Sequence, residues 1–169
     1  SCKVAVWLGP GHVQEIYNGI PNCMVIDGND KDTVSSLVQA FSGDIIRFYY
    51  GDDLIGNEIG AAAKNVIGIA AGILDGMGFP ESTQAMFITE SLHDIKSLIY
   101  ALGGSKNTIL SFAGFGDLLL TATSKKSRNF RFGYMLGSNA PKDDIDDYIN
   151  NTTIEGLYTL KSIYKLLRD

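Results

Sequence analysis

Three kinds of side chain in this sequence could do acid–base or anion chemistry. The stretch "GFGDLLLTATSKKSRNFRFG", residues 114–133, sets Asp117 directly after Gly114 and Gly116, and ten residues later it carries Ser127, Arg128 and Asn129 in a row. Glycines free the backbone to turn tightly, so Asp117 is expected to emerge from a fixed bend. Ser127 reads as the start of a helix, where unpaired N–H groups and the macrodipole favour an anion. Arg128 is always charged and fork-shaped, which suits phosphate. These residue types describe an anion site beside a carboxylate and leave the anion unnamed. Lys64 is the third candidate, because it interrupts the apolar run "LIGNEIGAAAKNVIGIAAGILDGMGF". Desolvating an ammonium is costly and lowers its pKa unless a carboxylate or ligand compensates. A lysine tolerated in such a run is either a proton-transfer group or one that snorkels from a half-exposed helix.

The elements that must position these residues are legible in outline. "KVAVWLGPGHVQEI" opens on an apolar run, Val4 to Leu8, that ends at Gly9, Pro10 and Gly11. A strand feeding a glycine turn and a helix is how a nucleotide-binding sheet is built. "NCMVIDGN" and "IIRFYY" read as two further strands, with a helix over 32–41 between them. No G-x-G-x-x-G follows a strand, so residues 1–50 are expected to be the last strands of a sheet domain whose first part is absent, or a small independent α/β cap. Residues 51–169 are expected to be all helical. Asp52 and Asp53 can cap the long apolar helix. On that helix Asn57, Lys64, Gly68, Gly72 and Asp75 follow at steps of seven, four, four and three, a stripe on which a close partner must pack. Ser82 precedes an amphipathic helix with Ile88, Leu92, Ile95, Ile99 and Leu102 facing a core. Ser105 is expected to cap a shorter helix to about Ala113. "APKDDIDDYINN" reads as a solvated acidic surface, and a last helix carries Leu157, Leu160, Tyr164 and Leu167 on one face.

Composition removes several function classes. The net charge of −5 argues against nucleic acid as a partner, since phosphate backbones call for excess Lys and Arg. The long apolar helix fails as a membrane span: Glu58, Lys64 and Asn65 interrupt it, and the stretch from Val66 to Leu74 is far short of the roughly 20 residues needed. Cys2 and Cys23 lack companions at metal-ligand spacing and read as cytosolic thiols, so no metal is expected. No secretory signal is visible at the start, and a cytoplasmic location is expected.

Three motifs, "GNEIGAAAKNVIGIAAGILDGMGF", "AGFGDLLLTATSKKSRNFRFG" and "TIEGLYTLKSIYKL", together with "GPGHVQEI" upstream, closely resemble the C-terminal half of bacterial-type NAD(P)-dependent sn-glycerol-3-phosphate dehydrogenases. The resemblance covers essentially the whole chain. It implies a mainly α fold, a multi-helix substrate domain like the C-terminal domain of 6-phosphogluconate dehydrogenase, preceded by a remnant of a Rossmann-type sheet. It implies reversible hydride transfer between dihydroxyacetone phosphate and sn-glycerol 3-phosphate with NAD or NADP, feeding glycerophospholipid synthesis, in a homodimer. Lys64 matches the family's general acid/base. Asp117, Thr121, Ser127, Arg128 and Asn129 match substrate contacts, as do Gly9 and Gly11. Val13, Arg128, Thr153 and Glu155 match cofactor contacts. The family usually has serine where Gly11 sits and alanine where Val13 sits. The chain by itself is expected to lack dehydrogenase activity. Two other readings are a non-catalytic helical dimerisation module and another hydroxyacid dehydrogenase of the same two-domain plan.

Overall fold

The computed structural model describes residues 2–166 and 168, and for Leu166 the backbone only. It is mainly helical with one small sheet. Strands β1 (Ala5–Leu8), β2 (Asn22–Gly28) and β3 (Ile46–Tyr50) lie in that order, β1 antiparallel and β3 parallel to β2. Registers pair Ala5 with Gly28 and Asn22 with Ile46. Helix α1 (Val13–Tyr17) follows the Gly9–Gly11 turn, and α2 (Lys31–Phe41) links β2 to β3. Asp30 caps α2 by accepting the Thr33 N–H at 2.9 Å, and its carboxylate also accepts from Lys3 at 2.8 Å. Those bonds hold the Asp30 carboxyl down at about 2, the Lys3 ammonium contributing most. Met24, Ile26, Val34, Val38 and Phe48 form the core between sheet and α2. Trp7 packs edge-on against Phe48 with ring centroids 4.6 Å apart.

The long helix α3 (Leu54–Gly76) comes next, then α4 (Glu81–Ala101). Of the residues in α3, only Ile55 and Glu58 are exposed. Among the described residues α3 is also the one helix long and apolar enough to cross a membrane by length and composition, although the count of an uninterrupted apolar run rejected it. On α4, Ile88, Ile95 and Ile99 are buried as their spacing requires, while Leu102 lies beyond the helix end and is exposed.

The region after α4 departs from the sequence reading. In place of a helix from Ser105 to Ala113 there is a 3₁₀ turn (Thr108–Leu110) and then a π-helical turn (Phe112–Gly116). The physical reason is Asp53. Its carboxylate takes the Ser105 N–H at 2.7 Å and the Thr108 hydroxyl at 2.5 Å, so Ser105 faces the acid that caps α3 and starts no helix of its own. Asp117 does follow a fixed turn, as Gly114 and Gly116 led one to expect: the π turn runs directly into α5 (Asp117–Thr123). Gly114 is needed there for space, since a Cβ would run into the Ile109 carbonyl. Helices α6 (Arg128–Gly137), α7 (Lys142–Asn151) and α8 (Glu155–Leu166) complete the chain. The acidic stretch is thus a helix, α7, with no buried residue. On α8 Leu160 and Tyr164 are exposed, and Leu167 lies outside the described residues.

The chain divides into two compact units, residues 1–61 with 94–117, and residues 62–93 with 118–169.

Candidate active site

In the second unit the site residues are placed by backbone-to-backbone packing of α3 against α6. A Cβ at Gly133 would collide with the Ile69 carbonyl, one at Gly137 with the Ile73 carbonyl, and one at Gly72 with the Phe130 carbonyl. Only side-chain-free positions on both helices permit that approach. The Gly68 and Gly72 part of the polar stripe read from the sequence is the α3 half of this contact. A Cβ at Gly68 would lie 2.8 Å from the Thr121 methyl and 3.4 Å from Asn129 Cβ, so both residues sit against α3. Lys64 lies one turn before Gly68, half-buried.

The close approach lets Asn129 tie three helices together. Its amide nitrogen donates to the Asn65 side-chain oxygen at 3.0 Å, and its amide oxygen accepts the Gly156 N–H at 3.0 Å. With 4% of its surface exposed, Asn129 is part of the scaffold that holds these helices. Ser127 Oγ accepts the Phe130 N–H at 3.3 Å and so caps α6, leaving its O–H proton to donate. Arg128 points outward and forms an ion pair with Glu155, both half-exposed, while its carbonyl accepts from the Tyr148 hydroxyl at 3.2 Å. Thr153 is exposed, just ahead of buried Ile154.

The first unit holds Gly9, Gly11, Val13 and Asp117. Gly9 has φ +148°, and a Cβ there would press on Met24. A Cβ at Gly11 would meet Met24 Cε at 2.5 Å and Asn22 Nδ2 at 2.9 Å, so Met24 and Asn22 fill the space that a serine would need. Asn22 also donates to the Pro10 carbonyl, fixing the turn. A Cβ at Gly116 would sit 3.4 Å from Pro10 Cγ, which brings the Gly9–Gly11 turn against the π turn that presents Asp117. Asp117 is buried. Val13 is 84% exposed on α1.

Two contributors escaped the sequence reading. Asn65, next to Lys64, is the Asn129 partner; its only signal was an amide inside an apolar run. Asp27 is 1% exposed in β2, where its carboxylate accepts from the Gly28 N–H at 2.7 Å, the Asp53 N–H at 3.0 Å and Asn57 Nδ2 at 2.7 Å. An acid in an otherwise apolar strand was the sign of it. Through these bonds Asp27 anchors the start of α3. Burial pushes the Asp53 carboxyl up, but hydrogen bonds from Thr108, Ser105 and Gly56 outweigh it and hold the group below its usual value.

The arrangement offers a buried amide network, a half-buried ammonium on α3, and a guanidinium–carboxylate pair at the start of α6. Among the described residues no cluster of His, Cys, Asp or Glu could hold a metal ion.

Comparison with known proteins gives one consistent result. The sequence model of the family described as NAD-dependent glycerol-3-phosphate dehydrogenase C-terminus matches residues 53–169. A glycerol-3-phosphate dehydrogenase [NAD(P)+] of Halothermothrix orenii is 37% identical over 162 residues, covering 96% of this chain and 47% of the relative. That of Fusobacterium nucleatum is 40% identical over 160 residues, covering 95% and 48%. The crystal structure of glycerol-3-phosphate dehydrogenase from Coxiella burnetii superposes with a TM-score of 0.94 at 33% identity, covering 99% of this chain and 51% of that one. The chain spans about half the length of the curated relatives it matches.

Proposed function

Because the chain belongs to the NAD-dependent glycerol-3-phosphate dehydrogenase C-terminal family, we propose that it supplies the substrate-binding and proton-transfer half of an enzyme interconverting sn-glycerol 3-phosphate and dihydroxyacetone phosphate. The observation that carries the reading is the start of α6. There a capped helix, a buried Asn129 and an outward Arg128 present donors suited to a phosphate monoester. Ser127, Arg128 and Asn129 hold the phosphate, with Gly9 and Gly11 lining the substrate. Lys64 serves as general acid/base: a protonated amine beside the carbonyl oxygen stabilises the charge that develops there and delivers the proton. Asp117 and Thr121 orient the substrate.

The cofactor is NAD or NADP, whose nicotinamide supplies or accepts the hydride. The half-exposed Arg128–Glu155 pair fits such a ligand, since it offers a donor fork and a carboxylate acceptor to phosphate oxygens and ribose hydroxyls. Thr153 and Val13, both exposed, are the further cofactor contacts in this reading. Residues 1–50 are the end of the cofactor domain and 51–169 the substrate domain, consistent with a family match that begins at residue 53. The same reading makes the protein a cytoplasmic homodimer that feeds glycerophospholipid synthesis.

Titrating the ¹⁵N-labelled chain with sn-glycerol 3-phosphate tests the site. Amide resonances of Ser127 to Asn129, Lys64 and Asp117 should shift together and saturate; shifts confined to other residues refute the assignment. Activity is tested by fusing the first half of the Halothermothrix orenii relative ahead of residue 1. The fusion should oxidise NADH or NADPH in the presence of dihydroxyacetone phosphate, and a folded fusion without turnover refutes the activity.

A further inference from the structure

Residues 118–142 carry Lys125, Lys126, Arg128, Arg131 and Lys142 and no acid, in a chain of net charge −5. The proposed reaction uses one of these cations, Arg128, and Lys142 pairs with Asp146 within its own helix. Two others, Lys125 and Arg131, line a separate cavity of about 320 Å³ beside α6, whose remaining walls are Phe130, Tyr134 and Met135. Phe130 is 2% exposed and roots the floor in the core, and Tyr134 is 44% exposed at the wall. Arg131 is steadied from outside the cavity, its guanidinium 5.4 Å from the Tyr148 ring centre. The cavity is of the size that takes a small molecule, with a few charged groups on mostly apolar walls.

We propose that this pocket binds a small organic anion that carries an apolar ring or chain. The chemistry follows from the lining. Two cations in the lining attract a carboxylate or phosphate, while Phe130, Tyr134 and Met135 offer an aromatic and thioether surface that a bare inorganic ion would leave unused. An uncharged apolar molecule would in turn forgo both cations. The pocket shares no residue with the substrate contacts Lys64, Thr121, Ser127, Arg128 and Asn129, so variants of its lining leave those side chains in place.

The test is an NMR titration of the ¹⁵N-labelled chain with decanoate and phenyl phosphate, two apolar anions with different head groups, beside inorganic phosphate and decanol. The amides of Phe130 to Met135 should shift and saturate with at least one apolar anion, and the head group that binds identifies the preferred source. Inorganic phosphate and decanol should each bind about tenfold more weakly, the loss expected when one of two interaction modes is removed. Lys125→Gln with Arg131→Gln should weaken the apolar anion about tenfold. Arg131→Lys should keep part of the affinity, and none of these variants should alter the sn-glycerol 3-phosphate shifts. Equal affinity for inorganic phosphate or decanol overturns the proposal, as does an unchanged affinity in the double variant. Absence of saturable shifts at Phe130 to Met135 with both anions overturns it too.

Discussion

Adding one methyl group should move stability in opposite directions at two helix-interior glycines. At Gly60 of α3 the nearest atom to a new Cβ is the Gly114 Cα at 3.8 Å, an ordinary contact. Gly60→Ala should therefore gain what alanine gains in a helix, about 0.5–1 kcal/mol. At Gly133 of α6 the same methyl lands on the Ile69 carbonyl, with the Ile73 nitrogen 3.0 Å away. Neither is a flexible side-chain tip, so α6 must move off α3. Overpacking costs typically 1–3 kcal/mol and here acts on backbone, so after subtracting the helix gain Gly133→Ala should lose about 2 kcal/mol. That corresponds to a fall in Tm of about 4–8 °C for a chain of this size. The displacement also stretches the Asn129–Asn65 bond, now 3.0 Å, so the α6 start should bind sn-glycerol 3-phosphate less well. Urea unfolding of both variants, followed by ellipticity, decides the matter. A Gly133→Ala protein as stable as Gly60→Ala would mean that the two helices are not held at backbone contact, and the account of how Asn129 is positioned would fall with it.

Other perturbations test other links. Asp30 should titrate with a midpoint near 2 in carboxyl-detected NMR. Because its folded value lies below the unfolded one of about 4, its contribution is complete above that pH and is lost as pH falls toward 2; a midpoint near 4 would contradict the Lys3 and Thr33 bonds. Asp53→Ala removes the acceptor of Gly56 N–H, Ser105 N–H and the Thr108 hydroxyl and should cost about 2–3 kcal/mol in urea unfolding, more than a simple cap; a loss under about 0.5 kcal/mol would refute its bridging role. In the active fusion, Lys64→Ala should lower kcat by roughly 10² to 10⁴, whereas Arg128→Ala should act mainly on KM, with Arg128→Lys recovering part of the binding. A Lys64→Ala enzyme within about threefold of the parent kcat would remove Lys64 from the proton-transfer role.

The strands, the long helix α3 and the Ser127 cap were legible because each rests on local pattern: apolar runs, turn glycines and a hydroxyl before a helix. The stripe at Gly68 and Gly72 was legible as a packing surface, but not its partner, because the glycines that answer it, Gly133 and Gly137, are some 60 residues away in sequence. The 3₁₀ and π turns after α4 were not legible. Ser105 looks like a cap in isolation, and only the fold brings Asp53, 52 positions earlier, to claim its N–H. Asn65 was hidden for the same reason, since its meaning lies in Asn129. The α7 helix was passed over because charge argued for a solvated surface, which it is, without deciding its backbone.

The tryptophan at position 7 gives the protein an optical asymmetry. It is the sole tryptophan, and it sits in β1 with its indole N–H directed at the Met24 sulfur and its ring against Phe48. Its emission therefore reports on the sheet, whereas far-ultraviolet ellipticity is dominated by the helices. A denaturation curve recorded by both signals becomes a direct measure of cooperativity: coincident curves mean one unfolding event, and an emission change that precedes the ellipticity change means the sheet is released first.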